Sequence, residues 1–339
     1  MQILVTGAAG FIAGYVVEEL LAAGQTVIGL DNYSKYGVVT RSYQGHPRFR
    51  FIEGDAKDVA LVKELLSECD QIVAAAAMIG GISYFHRFAY DLLAENERII
   101  AAAFDAAIWA YSNRRLRKIN VISSSKVFES TGQFPTPEGA QLLSPPPRST
   151  YGFQKLATEY FAAGAWEQYR LPYTIIRPFN CVGIGERRAK ADAQIPSGNI
   201  DLALSHVVPD LIQKIAKGQD PLHLLGDGNQ IRHYTYAGDV AKGLRLCVEK
   251  KEAANEDFNI STTESTTVLE LARKIWQRMR PGRPLRVIHD EPFEYDVRRR
   301  SPDVSKAERL LGFKAETPLD VILDEVIPWV EQQVRLGLI

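Results

Sequence analysis

Residues Met1 to Ala13 read MQILVTGAAGFIA. A short apolar run, Met1 to Thr6, breaks at Gly7, Ala8, Ala9 and Gly10 and gives way to an amphipathic segment, Tyr15 to Ala23, that stops at Gly24. This order predicts a strand, a glycine turn and a helix. Glycines let the backbone approach a bound group closely, and the helix N-terminus offers unpaired N–H groups and a positive dipole end, so the three elements make a cradle for phosphate.

Working outward, the next apolar run, Thr26 to Leu30, ends in Asp31. An acid there accepts hydrogen bonds from ribose hydroxyls and repels a 2′-phosphate, so the unit reads as a dinucleotide site that takes NAD in preference to NADP. The alternation continues through a strand at Phe51 to Asp55, a helix at Asp58 to Cys69, a buried strand at Gln71 to Ala76, a long helix at about Tyr90 to Arg114 and a strand at Tyr173 to Arg177. Such alternation predicts an α/β fold with a parallel sheet covered on both faces.

Lys and Arg total 40 and Asp and Glu 41 in 339 residues, a formal net charge of −1. No overall field draws the chain to nucleic acid or to an anionic membrane, and neither is expected as a partner. Cys69, Cys181 and Cys247 are odd in number and lack paired ligand spacing, which argues against disulfides or a metal site and for idle thiols in a reducing compartment. The first residues lack a basic leader region, and no run reaches the roughly 18 apolar residues of a membrane span, so the expectation is a cytoplasmic protein.

The chemistry is concentrated in RSTYGFQKLATEYFAAGAW, Arg148 to Trp166. Tyr151 and Lys155 are spaced i, i+4 and share a helix face. Pro145 to Pro147 stop a helix from running in from upstream, and Ser149 or Thr150 can cap one that starts there. A free phenol titrates near pH ~10, too high for a base at neutral pH. Unit charges about 5 Å apart interact by roughly 3 kcal/mol at an effective dielectric of 20, about two pKa units, and Lys155 is placed to supply that charge. Upstream, KINVISSSKVF, Lys118 to Phe128, delivers serine hydroxyls to the C-terminal edge of the sheet, where doubly wound folds bind ligands.

TGAAGFIA, with Tyr151 arriving 27 residues after Ser124 and Lys155 behind it, resembles the extended short-chain dehydrogenase/reductase superfamily, the NAD-dependent nucleotide-sugar epimerases and dehydratases, whose fingerprint is TGxxGFIG. RPFNCVG from Arg177, LLGDGNQIRHYTYAGDVAKG from Leu224, FNIS from Phe258 and RRRSPDVSKAERLLGF from Arg298 extend the likeness over nearly the whole chain. The resemblance implies a Rossmann-type doubly wound sheet, residues 1–178 with about 230–262, that binds NAD. It also implies a smaller α/β cap, residues 179–229 and about 263–339, that binds a nucleotide-diphosphate sugar, and a homodimer formed through the helices near Tyr90 to Arg114 and Tyr151 to Tyr169.

The same resemblance assigns residues. Ser124, Tyr151 and Lys155 are the expected catalytic set, joined by Lys126 as a candidate second base, with Tyr151 and Lys155 also touching NAD. The remaining cofactor contacts are expected at Gly7, Gly10, Phe11, Ile12, Asp31, Asn32, Asp55, Ala56, Ala75 and Ala76. Substrate contacts are expected at Gly80, Gly81, Ser124, Ser125, Asn180, Arg187, Arg232 and Arg300. Asn180 holds either a phosphate or the chain entering the cap, with Arg298 and Arg299 as runners-up to Arg300. Asn96 is expected to make a structural hydrogen bond, and Asp239 to cap the helix of Val240 to Val248.

Departures matter as much. Ala13 stands for the last fingerprint glycine and adds one tolerable methyl. AAAAM replaces a histidine-containing HLAA and removes one cofactor contact, while Gly80 and Gly81 leave room for a sugar, as in GDP-mannose 3,5-epimerase. His233 takes the place of an aspartate. Lys126 stands where dehydratases and decarboxylases carry an acid, and is either a second base or anion contact or a surface partner of Glu129. The implied activity is C4 epimerisation of a nucleotide sugar through a transient 4-keto intermediate with hydride return from NADH. The alternatives are C3/C5 epimerisation or dehydration using Lys126, and an NAD-sensing regulator on the same fold.

Overall fold

The structure, a computed structural model, describes residues 1–79, 88–186, 206–292 and 296–339. The strands are β1 Gln2–Thr6, β2 Thr26–Asp31, β3 Phe49–Glu53, β4 Gln71–Ala74, β5 Lys118–Ile122, β6 Tyr173–Pro178, β7 Cys181–Val182, β8 Leu222–Leu225, β9 Ile231–Arg232, β10 Thr235–Tyr236, β11 Glu256–Ile260, β12 Thr266–Thr267 and β13 Val287–Asp290. The helices are α1 Phe11–Ala22, α2 Val59–Leu66, α3 Ala89–Asn113, α4 Thr150–Tyr169, α5 Val207–Ala216, α6 Ala237–Glu249, α7 Val268–Met279, α8 Ser305–Leu311 and α9 Leu319–Arg335.

Seven strands form one parallel sheet in the order β11-β6-β5-β4-β1-β2-β3. Side chains alternate across it. Ile3 and Val5 of β1 pack with Val16 and Leu20 of α1 and Val240 and Leu244 of α6 on one face. Leu4 packs on the other face with Val62 of α2, Phe104 of α3 and Ala162 of α4. Burial on both faces is why these strands read as unbroken apolar runs, and each fully buried aliphatic side chain contributes about 1.5–3 kcal/mol. Ala13 lies in the first of these clusters, where its extra methyl is packed.

The strand order reverses at β1, between β2 and β4, and there the connections part to open a crevice. A second core forms from α5, α7, α9 and the β8–β13 ribbon, around Leu211, Ile215, Leu222, Ile275, Trp276 and Leu323. Helix α7 shows how locally this unit is encoded. Thr267 Oγ1 accepts from Glu270 N–H at 3.1 Å while Glu270 Oε2 accepts from Thr267 N–H at 2.8 Å, a reciprocal cap, and Val268, Leu271, Ala272 and Ile275 fall on one stripe. Between these two stretches of the second core the chain returns to the sheet, where β11 pairs with β6.

Asp239 differs from its expected role. Helix α6 begins at Ala237, so Asp239 sits inside the first turn, and its Oδ2 accepts from Glu316 N–H at 3.2 Å and Thr317 N–H at 3.0 Å. Asn96 does make structural bonds: it accepts from Met78 N–H at 2.7 Å and donates to Met78 O at 2.8 Å. All three cysteines are buried free thiols. Among the described residues no helix is long and apolar enough to cross a membrane.

Candidate active site

A cavity of about 620 Å³ lies between the sheet's switch point and the second core. Its floor is the glycine turn. Gly7 has φ +73°, and a Cβ there would meet Ala76 Cα at 2.9 Å; one on Gly10 would meet Gly7 O at 2.9 Å. Thr6 Oγ1 accepts from both Ala75 and Ala76 N–H at 3.1 Å, which fixes the facing loop. No side chain caps α1 and no acid lies in its first turn, so its free N–H groups and dipole remain available to an anion. Asp31 Oδ2 accepts from Ala9 N–H at 2.9 Å and Oδ1 from Tyr33 N–H at 2.7 Å. Burial raises its pKa against those two bonds. Asn32, Asp55 and Ala56 continue the wall, with Asp55 Oδ1 accepting from Lys57 N–H at 2.8 Å. A cradle that a Cβ would fill, an uncapped helix end and an acid at the next strand's tip fit a dinucleotide.

The reacting groups come from two segments. After β5 the chain turns through a short 3-10 helix, Ser125–Phe128, and Ser124 Oγ accepts from Lys126 N–H at 3.2 Å. Ser149 caps α4, its Oγ accepting from Gly152 N–H at 3.1 Å. That start puts Tyr151 in the cavity wall, buried and hydrogen-bonded to Ser124. Burial raises the Tyr151 pKa, while the Ser124 bond and the Arg300 charge lower it. Lys155 lines the cavity too, but its Nζ donates to Ile122 O at 2.9 Å and lies 6.0 Å from the Tyr151 ring centre. Burial takes Lys155 down to about 8, against the charges of Glu97 and Glu159. Lys155 thus keeps to the Tyr151 side of the helix, as its spacing suggests, and Arg300 adds a second positive charge that lowers the phenol's pKa from the far side of the cleft.

Lys126 is not at the surface. It is 6% exposed, lines the cavity and faces Glu129 Oε2 at 3.5 Å. Burial, joined by Arg300, takes it down to about 8. Arg300 Nη1 donates to Asn180 Oδ1 at 3.4 Å, and burial with the neighbouring Arg232 lowers Arg300 to about 10. Arg232 Nη2 donates to Asp296 Oδ1 at 2.9 Å. Asn180 Nδ2 donates to His233 O at 3.4 Å, so Asn180 bridges the returning chain at His233 and the guanidinium of Arg300. Arg298 is exposed and paired with Asp227, and Arg299 lies over the Phe134 ring at 5.0 Å; neither lines the cavity. His233 Nδ1 pairs with Thr262 O at 3.1 Å away from the cavity wall.

Of the expected residues, one cavity gathers Gly7, Gly10, Phe11, Ile12, Asp31, Asn32, Asp55, Ala56, Ala75, Ala76, Ser124, Ser125, Lys126, Tyr151, Lys155, Asn180, Arg232 and Arg300. Gly80, Gly81 and Arg187 lie outside the described residues. Two acids, Glu159 and Asp296, were missed, and Glu129, expected as a partner of Lys126, does more than that. Glu129 accepts from Ser149 Oγ at 2.6 Å and so ties the serine segment to the start of α4. Glu159 accepts from Ser123 Oγ at 2.5 Å and from Arg177 through two bonds of 2.7 Å. Asp296 anchors Arg232. A signal for Glu159 existed, since Tyr151, Lys155 and Glu159 repeat at i, i+4, i+8 along one face.

Comparison with known proteins places these observations. Residues 3–261 match the profile of the NAD dependent epimerase/dehydratase family. The chain is 28% identical to UDP-glucuronic acid decarboxylase 5 of Arabidopsis thaliana, over 100% of this chain and 90% of that protein. It is also 28% identical to a UDP-glucose 4-epimerase of Lacticaseibacillus casei, over 81% of each. The fold superposes on the crystal structure of UDP-glucose 4-epimerase with UDP-glucose from Thermotoga maritima with a TM-score of 0.80 at 27% identity, over 98% of this chain and 100% of that one.

Proposed function

The chain belongs to the NAD dependent epimerase/dehydratase family and is an NAD-using enzyme of the nucleotide-sugar epimerase type, and on that premise we propose that it epimerises a nucleotide-diphosphate sugar at C4. The observation that carries this reading is the hydrogen bond between Tyr151 and Ser124 in the wall of a cavity that also holds the glycine turn and, opposite, Arg232 and Arg300.

The residues divide the work by position. Tyr151 takes the proton of the sugar hydroxyl, and Ser124, whose oxygen already accepts from Lys126 N–H, turns its own proton toward the same sugar oxygen. Gly7, Gly10, Phe11 and Ile12 hold the pyrophosphate, Asp31 the adenosine ribose, Asn32, Asp55 and Ala56 the adenine end, and Lys155 with Ala75 and Ala76 the nicotinamide end. Bound NAD supplies the hydride acceptor that receives the hydrogen of the sugar carbon and later returns it. Arg232 and Arg300 bind the diphosphate, and the approach of Arg300 to Tyr151 links substrate seating to the proton affinity of the base. Ser125 and Asn180 complete the sugar's surroundings.

A second reading has its own observation. Lys126 is buried in the cavity wall with Glu129 beside it, placed to remove a proton next to a ketone, as C3/C5 epimerisation or dehydration requires. Incubating the protein with UDP-, GDP-, dTDP- and CDP-sugars in deuterated water and following products by NMR separates the two. C4 inversion by hydride return leaves the product free of solvent deuterium, whereas deuterium at a ring carbon replaces that reading with the second. Turnover surviving in Tyr151→Phe removes both. We also propose a homodimer through α3 and α4, supported by the exposed Phe153, Tyr160 and Tyr169 along the groove they form.

A further inference from the structure

Resting on the nucleotide-sugar reading above, we infer that the nucleotide taken by this cavity is a guanosine diphosphate, because Asp210 and Lys214 on α5 face the cavity as acceptor and donor for the Watson–Crick edge of guanine.

The placement of the base follows from the diphosphate site. Gln230 Nε2 donates to Leu225 O at 3.0 Å and to Asp296 Oδ2 at 3.1 Å, and Asp296 holds Arg232. Arg232 is thus tied to the end of β8, and a diphosphate on it sends the nucleoside along β8 toward α5. The cavity lining includes apolar Val208, Leu211, Leu225 and Val268, suited to the faces of a ring, and two charged groups, Asp210 and Lys214, suited to its edge. Asp210 Oδ2 lies 2.8 Å from Lys214 Nζ, which also donates to His223 O at 3.2 Å, so both heads are held between helix and strand.

A carboxylate only accepts, and its two oxygens share a plane. Guanine sets N1–H and the 2-amino group side by side as two donors, with O6 next to them for an ammonium. Uracil and thymine offer one N–H between two carbonyl oxygens, which puts a lone pair against the second carboxylate oxygen. Cytosine and adenine offer one amino group beside a bare ring nitrogen and leave that oxygen without a donor.

The test is calorimetric titration of the NAD-loaded full chain with GDP, IDP, UDP, CDP, dTDP and ADP. GDP is expected to bind most tightly, with IDP, which lacks the 2-amino group, at least about tenfold weaker. Asp210→Asn is expected to bind NAD as before and to lose the preference for GDP over IDP. Another base bound as tightly as GDP, equal affinities for GDP and IDP, or an unchanged preference in the variant overturns the guanine assignment and leaves the nucleotide-sugar reading standing. Absence of affinity for all six removes that reading and this one with it. If the variant does not fold, the wild-type ratio of GDP to IDP decides.

Discussion

Replacing Lys126 with methionine should make the protein more stable at neutral pH. Burial, joined by Arg300 and Arg232 and opposed by Glu129, takes Lys126 from 10.5 to about 8. At about 1.4 kcal/mol per pKa unit, holding this ammonium in place costs the folded state about 3 kcal/mol. The unfolded lysine keeps its proton up to about 10.5 and the folded one releases it near 8, so between those values the unfolded chain binds more protons and stability rises with pH. Below about 8 the full penalty stands. Methionine has similar length and no charge. Glu129 loses a partner at 3.5 Å but keeps Ser149 Oγ at 2.6 Å and Ser149 N–H at 3.3 Å, and its attraction for the ammonium is already contained in the shift to about 8. The gain is about 3 kcal/mol at pH 7 and falls below about 1 kcal/mol as pH approaches 10. Urea unfolding of both proteins at the two pH values, with equal m-values, measures it. A variant no more stable at pH 7, or a gain indifferent to pH, refutes the reasoning; a gain accompanied by full activity shows that Lys126 has no part in the chemistry.

Other outcomes follow from the geometry. Gly7→Ala forces a positive φ on alanine, at about 1–2 kcal/mol, and drives its Cβ to 2.9 Å from Ala76 Cα; equilibrium dialysis should show NAD binding lost while the far-UV spectrum is kept. Glu159→Gln leaves fully buried Arg177 with Asp257 as its remaining acid, and the urea midpoint should fall by the equivalent of about 3–5 kcal/mol. Thr267→Ala removes one half of the reciprocal cap on α7 and should cost about 1 kcal/mol in the same assay without changing NAD affinity.

Local features were readable and distant ones were not. The glycine turn, the acid ending β2 and the Tyr151–Lys155 spacing are set within one strand or one helical turn, and the chain alone shows them. Spacing put Lys155 near Tyr151 but could not aim its Nζ, which the carbonyl of Ile122 captures. Asp239 was misread because a cap depends on the true first residue of the helix, and α6 starts three residues earlier than its pattern suggests. Asp296 was silent because its partner Arg232 lies 64 residues away in the chain, and the bonds of Glu129 to Ser149 and of Glu159 to Arg177 reach across 20 and 18 residues that no local pattern spans. The charged groups that face Lys126 across the cavity, Arg232, Asp296 and Arg300, lie more than a hundred residues away, and no window of sequence around it contains them.

The pairing of β11 with β6 has a consequence for how the molecule is made. A ribosome delivers Tyr173–Pro178 long before Glu256–Ile260, with much of the cap in between. During that interval the outer rim of β6 is bare, an unpaired template for another nascent chain. Any C-terminal deletion ending short of Ile260 freezes the protein in that state, and such truncations should accumulate as aggregates, not as free-standing dinucleotide domains.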